Sequence, residues 1–182
     1  MPNLARTAGL LLALLLSRAL SAAAPGEYQV EAVFLLHFTQ FVEWPQESFG
    51  GPRAPFVIGV LGRDPFGPAL DDAVRGETTA DGRPLVIERY AGAADIRPCQ
   101  ILFIDRSAAH EAHQALQGLA HAATLTVSDV DLPDPRDLVI RFLNEERRIR
   151  LRINIDSARS AGLTISSKLL RPSQVVGAAV KE

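Results

Sequence analysis

The sequence predicts an α/β sandwich, with a mostly parallel central sheet, helices on both faces and a late antiparallel β-hairpin. Three observations predict it. Short runs such as Phe56–Leu61 and Ile101–Ile104 are apolar without alternation, as strands covered on both faces are. Stretches with helical spacing lie between these runs, the order that produces parallel strands. Later, residues 138–143 and 148–153 form two strand-like runs joined by a short polar turn, which is the pattern of a hairpin.

The first element is a helix over residues 27–44. Val30, Val33, Phe34, Phe38, Phe41 and Val42 recur at steps of three and four and define its apolar face, which Leu36 and His37 widen. Pro45 stops it, because the residue before a proline is disfavoured in helical geometry. A Gly/Pro-rich loop over 46–55 leads into the strand Phe56–Leu61. Residues 62–67 turn and 68–75 form a short helix. Asp81-Gly82 turns the chain into the strand Leu85–Tyr90. Ile101–Ile104 is the third strand, 108–119 a helix, and 123–127 a short β-branched fourth strand. Pro133 and Pro135 break the chain before the hairpin, whose turn is Asn144-Glu145-Glu146-Arg147. Asp156 or Ser157 caps a short helix ending near Gly162, and Ser166 or Ser167 caps a last helix running through Val176. No repeat, low-complexity tract or long linker interrupts this order, so residues 25–178 form one domain.

Residues 1–23 read as a secretory signal. Arg6 supplies a positive start, residues 8–16 an apolar run, and Ser21-Ala22-Ala23-Ala24 small residues for cleavage. Cleavage after Ala23 keeps Pro25 away from the scissile bond. The apolar run is too short to span a bilayer, so the expected product is exported, soluble and not anchored. The whole chain carries a formal charge of −2. Without Arg6 and Arg18, 17 basic residues face 21 acidic ones, about −4, which argues against a nucleic-acid partner. Cys99 is the only cysteine. It opens an apolar strand and reads as a buried structural thiol.

Several constellations invite a chemical reading and fail it. The glycine-rich stretch 59–67 follows a strand and precedes a helix, where phosphates bind. It lacks the Lys-Ser/Thr and G-x-G-x-x-G patterns, and Pro65 and Pro68 remove two N–H donors. His110 and His113 are three residues apart where a zinc-protease helix needs four, and His121 does not complete a ligand set. Asp71 and Asp72 are adjacent on a helix and diverge. Asp129 and Asp131 lie beyond a strand end, where α/β proteins bind ligands, without a matching nucleophile or base. Ser166-Ser167-Lys168 has the wrong spacing for a serine–lysine pair and the right one for a helix cap. No catalytic residue, metal site or cofactor is expected. The remaining signal is the alternation of Arg148, Arg150 and Arg152 with Ile149, Leu151 and Ile153. It sets the arginines on one face of the strand, either as a plain solvated face or as an edge strand whose guanidinium row meets an acidic partner or a carboxylate ligand.

Several segments together resemble one family. They are Glu27-Tyr28-Gln29-Val30 through Val42-Glu43-Trp44-Pro45, the stretch 58–67, Gly82-Arg83-Pro84, Cys99 through Ile104, Leu125-Thr126-Val127-Ser128-Asp129, and Arg150 through Leu170. In this order and spacing they resemble the YfiR family of periplasmic regulators. The resemblance implies a single α/β domain, commonly a homodimer, without enzymatic activity. It also implies repression of a membrane-bound diguanylate cyclase through that enzyme's periplasmic domain, and small-molecule binding. The chain departs from the family in its lone Cys99, which forbids an internal disulfide, and in Pro135-Arg136-Asp137, where Gly-Gly often precedes the hairpin.

The expected function is that of an exported, non-catalytic regulator. It binds the periplasmic domain of an inner-membrane signalling protein through Arg150, Arg152, Leu163, Ser166 and Lys168. The alternative is a periplasmic small-molecule-binding protein with a pocket at Gly62, Asp64 and Asp129. The signal segment yields the first test: mass spectrometry of periplasmic protein should find a mature N-terminus near Ala24, and an intact Met1 would exclude cleavage.

Overall fold

One mixed sheet organises the domain. The computed structural model describes residues 26–119, 122–132, 138–146 and 148–177. The expectations for residues 1–23, His121, Pro133, Pro135, Arg136, Asp137 and Arg147 lie outside them.

Helix α1 (Glu27–Phe41) opens on reciprocal bonds: the Gly26 N–H donates to Gln29 Oε1 at 2.9 Å, and the Gln29 N–H donates to the Gly26 carbonyl at 3.0 Å. It ends three residues earlier than expected. Val42–Glu43 turns extended as strand β1 and pairs with Thr164–Ile165, strand β8, and the Ser166 N–H donates to the Phe41 carbonyl at 2.9 Å. The buried face also differs from the expected one. Glu31, Ala32, Leu35, Phe38 and Thr39 point inward, whereas Val33 is 43% exposed and Phe34 and Phe41 are half-buried. The helix carries apolar residues all round, so spacing alone did not fix its rotation.

The strands β2 (Phe56–Leu61), β3 (Leu85–Tyr90) and β4 (Ile101–Ile104) form as predicted. Helix α2 (Pro68–Val74) follows β2. A 3₁₀ segment, Arg106–Glu111, runs into helix α3 (Ala112–Gly118). It is followed by β5 (Leu125–Ser128), β6 (Ile140–Glu145) and β7 (Arg148–Asn154). Helix α4 (Ile155–Ser160) is capped by Asn154, whose side chain accepts from the N–H groups of Asp156 and Ser157 at 3.1 Å each, not by Asp156 or Ser157 themselves. Helix α5 (Ser167–Leu170) takes Ser166 as its cap. It does not continue to Val176. Pro172 cannot extend a helix, and Gln174–Val176 becomes strand β9.

The main sheet has the order β3-β2-β4-β5-β6-β7-β9. Its pairs are parallel from β3 through β6, antiparallel between β6 and β7, and parallel again between β7 and β9. Strand β7 is therefore not an edge throughout. β9 covers Arg152, Ile153 and Asn154, and Arg148 to Leu151 have no outer neighbour among the described residues. The hairpin is also tighter than expected: Leu143 pairs with Arg150 and Arg141 with Arg152, leaving Glu146 in the turn at φ +51°.

Alternate residues of the strands feed two cores. On the α1 side, Leu35 and Phe38 meet Ile101, Phe103, Phe142, Leu151 and Ile153. On the other, Leu102 and Ile104 meet Leu61, Tyr90 and the α3 alanines Ala112 and Ala115. Gly59 permits this second layer. A Cβ there would lie 2.8 Å from the Tyr90 ring and 3.3 Å from Cys99 Sγ. Arg83, only 4% exposed, ties down the loop before β2. Its Nη1 donates to the carbonyls of Gly51 and Ala54 at 2.9 Å each, its Nε to Asp81 at 2.8 Å, and its plane lies 3.9 Å above the Phe49 ring. No described helix is long and apolar enough to cross a membrane.

Phe38 is fully buried and stacks on Phe142. Phe38→Ala should lower unfolding free energy by about 3–5 kcal/mol, measured by urea denaturation, and Phe34→Ala by markedly less. Equal losses would show that the two rings are equally enclosed.

Candidate functional site

Where the first turns of α1 meet the C-terminal end of β5, two acids with raised pKa values come together. Ser128 ends β5. Its hydroxyl donates to the Ile104 carbonyl at 2.8 Å and accepts from the Val130 N–H at 3.2 Å. This places Asp129 beneath the first turn of α1, where the Tyr28 hydroxyl donates to Asp129 Oδ2 at 3.0 Å. Asp129 Oδ1 is buried without a partner. Glu31, one helical turn beyond Tyr28, is fully buried, and both its carboxylate oxygens lack a hydrogen-bond partner.

A carboxylate in that position is disfavoured by desolvation. Burial, followed by the neighbouring charges of Asp129 and Glu27, pushes the Glu31 carboxyl up to about 8 from 4.5. Burial raises Asp129 too, against the opposing effect of the Tyr28 hydrogen bond. The Tyr28 phenol rises to about 12, chiefly by burial and then by the Asp129 charge. The arrangement holds a proton between helix and sheet at neutral pH.

The other two residues of the expected pocket are absorbed by the fold. Gly62 sits at φ +97°, and a Cβ there would lie 2.7 Å from Ser107 Oγ and 3.0 Å from Ala108, so the space above it is filled. Asp64 accepts from the Phe66 N–H at 2.8 Å and from Arg89 Nε at 2.7 Å. Arg89 also grips Asp71 at 2.7 Å, which accounts for one acid of the adjacent pair, and Arg75 holds Asp72 at 2.7 Å. Asp129 alone of the three stays chemically unsettled.

The expected docking residues divide between the two faces of the sheet. Leu151 and Ile153 belong to the α1-side core, so Arg148, Arg150 and Arg152 project from the opposite face. Leu163, 4% exposed, is core on the α1 side and offers no side chain to a partner. The Ser166 hydroxyl is occupied as a cap, accepting from the Lys168 N–H at 3.3 Å. Lys168 is exposed, on a helix packed into the α1-side core through Leu169. His110 is exposed, and Glu111 accepts from the Ala93 N–H at 2.8 Å.

Residues 28–174 match the family model described as YfiR/HmsC-like. The chain belongs to the YfiR/HmsC-like family. No curated protein matches it. The YfiR/HmsC-like family comprises periplasmic regulators of cyclic di-GMP signalling that act with inner-membrane signalling partners and are regulatory, not catalytic. The match begins at Tyr28, so it covers Tyr28, Glu31 and Asp129 as well as the whole hairpin.

Two features of this YfiR/HmsC-like domain escaped the sequence reading. Glu31 lies at helical spacing between Tyr28, Leu35 and Phe38, a signal that an acid shares the buried face. Arg141 emerges as the cross-strand neighbour of Arg152 only when the turn is given two residues instead of four.

Because the folded pKa of Glu31 is raised, its protonated form stabilises the fold fully below about 4.5, and this contribution is lost as pH rises through about 8. Wild-type stability should therefore fall across that window, by up to about 1.4 kcal/mol per pH unit. In Glu31→Gln the profile should be flatter and the variant the more stable chain at pH 8. Urea midpoints from pH 5 to 8 test this; an unchanged slope in the variant would assign the titration elsewhere.

Proposed function

We propose that this chain is an exported, non-catalytic regulator that docks on the periplasmic domain of an inner-membrane diguanylate cyclase and represses it, working as a homodimer. The family supplies the general role, regulation of cyclic di-GMP signalling from the periplasm. The observation that carries the docking surface is the outer edge of β7 at Arg148–Leu151, which has no neighbour among the described residues. There an open backbone edge coincides with the exposed guanidinium groups of Arg148 and Arg150. An open edge offers main-chain hydrogen bonds to a partner segment, and guanidinium groups select an acidic one. Leu163 is not part of this surface, being buried in the α1-side core. The alternative of a pocket built on Gly62, Asp64 and Asp129 has less support, because the fold already uses the first two.

The test uses mature protein and the periplasmic domain of a membrane diguanylate cyclase from the same organism. Association should be measurable, and cyclase activity in membranes should fall on addition of the regulator. Arg148→Glu with Arg150→Glu should weaken association at least tenfold, since charge complementarity sets encounter and register. The melting temperature should barely move, because exposed charges contribute little to stability. Unchanged affinity in the folded double variant would remove this strand from the interface.

A further inference from the structure

Among the described residues, the face of the sheet opposite α1 is only half covered. α3 packs over the part made by β2, β4 and β5, and the part made by β6, β7 and β9 carries a cavity of about 250 Å³. Two arginines meet in its wall. Arg141 of β6 and Arg152 of β7 are direct cross-strand partners, so their side chains leave the sheet side by side. Like charges placed opposite one another destabilise a sheet. Arg152 has no ion pair or side-chain hydrogen bond among the described residues. The Arg141 side chain is only 21% exposed, and its Nε is buried without an acceptor. Its one acid among the described residues, Asp131, engages Nη1 and is itself 80% exposed, so that pair is weak and exchangeable with solvent.

The rest of the wall is mixed, with Asp131 and Asn154 set among apolar residues. Leu132 and Leu138, each 6% exposed, stand beside Val139 and Val176. The cavity shares Val139, Asn154 and Gly177 with a neighbouring groove of about 730 Å³ that runs along α3 and α4. Two guanidinium groups beside Leu132, Leu138 and Val176 form an amphiphilic recess, with Asp131 at its rim held on Arg141.

We propose that Arg141 and Arg152 clamp the carboxylate of a small organic acid whose apolar body rests on Leu132, Leu138 and Val176. One oxyanion set between the accessible parts of the two guanidinium groups separates the two positive charges, and charge-assisted bonds of this kind are the strong ones. The volume lies just below the roughly 300–1,000 Å³ usual for small-molecule sites, which limits the occupant to a compact acid and disfavours a protein segment. This site lies on the sheet face opposite Glu31, and it does not depend on partner docking.

The experiment is thermal denaturation and calorimetry of the mature protein alone, with phenylacetate as the probe. Its neutral isostere 2-phenylethanol and inorganic phosphate serve as controls. Saturating phenylacetate should raise the melting temperature by about 3 °C or more, while neither control does. Arg152→Gln should weaken phenylacetate binding about ten- to hundredfold, as should Arg141→Gln, with Arg152→Lys retaining part of it. Arg63→Gln, at another strand end, should bind as wild type. Should Arg141→Gln fail to fold, Arg152→Gln decides alone. Equal binding in Arg152→Gln, an equal response to 2-phenylethanol, or a response to phosphate alone would each overturn the proposal. So would loss of cyclase association in Arg152→Gln together with no phenylacetate binding to the wild type, since the arginine would then belong to the protein interface. Because phenylacetate binding is read without any partner, its failure leaves the regulatory assignment standing.

Discussion

Phe38 of α1 lies stacked on Phe142 of β6, with ring centroids 6.0 Å apart and planes inclined by 17°. Phe142 leans on Phe103 of β4 at 6.4 Å, and Phe103 meets Phe66 edge-on at 4.7 Å. This file of rings crosses the sheet from the hairpin to the turn before α2. It fixes the rotation of the only long helix among the described residues, and that rotation decides what else goes inside. With Phe38 inward, Leu35 and Ala32 follow it, and so does Glu31, one turn nearer the N-terminus. The Tyr28 contact with Asp129 is set by the same rotation. Aromatic packing, large in area and specific in geometry, thus forces an acid into a place where it keeps its proton.

The legible parts of the fold were those where one signal dominates. β2, β3 and β4 appeared at their observed limits because each is a short apolar or alternating run between turn residues. α5 was found at its start and misjudged at its end: Ser166 caps as expected, but β9 is a three-residue strand with Val175 and Val176 largely exposed, and nothing in so short a run distinguishes it from a helix end. The rotation of α1 was hidden because its apolar residues point every way while its buried stripe contains Glu31 and Thr39. At the candidate site, Asp129 was visible from its position after a strand. Gly62 and Asp64 belong to the same strand-end pattern, yet they serve a close approach to Ser107 and a turn locked by Arg89. Sequence position names the neighbourhood of a site; only contacts show which of its groups are already occupied.

The two faces of the sheet carry different duties. On one, α1 with α2 and α4 buries a continuous aliphatic and aromatic layer. On the other, α3 covers the strands nearest β2 and leaves the hairpin bare among the described residues. Arginines are suited to that bare region, since long cationic side chains shield apolar surface and keep their heads in water. For a regulator of a membrane-bound signalling system, the stable face holds the fold and the thinly covered one is free to be read by other molecules.

Cys99 carries a consequence for the life of the chain before it is folded. Once Gly59 has let Tyr90 close over the sulfur, burial raises the thiol to about 12, which keeps it protonated and unreactive at neutral pH. In an oxidising compartment the unfolded chain enjoys no such shelter. Folding and thiol oxidation are therefore competing clocks: molecules that complete β4 promptly retire their sulfur from chemistry, and those delayed are open to capture as mixed disulfides that cannot fit the closed core.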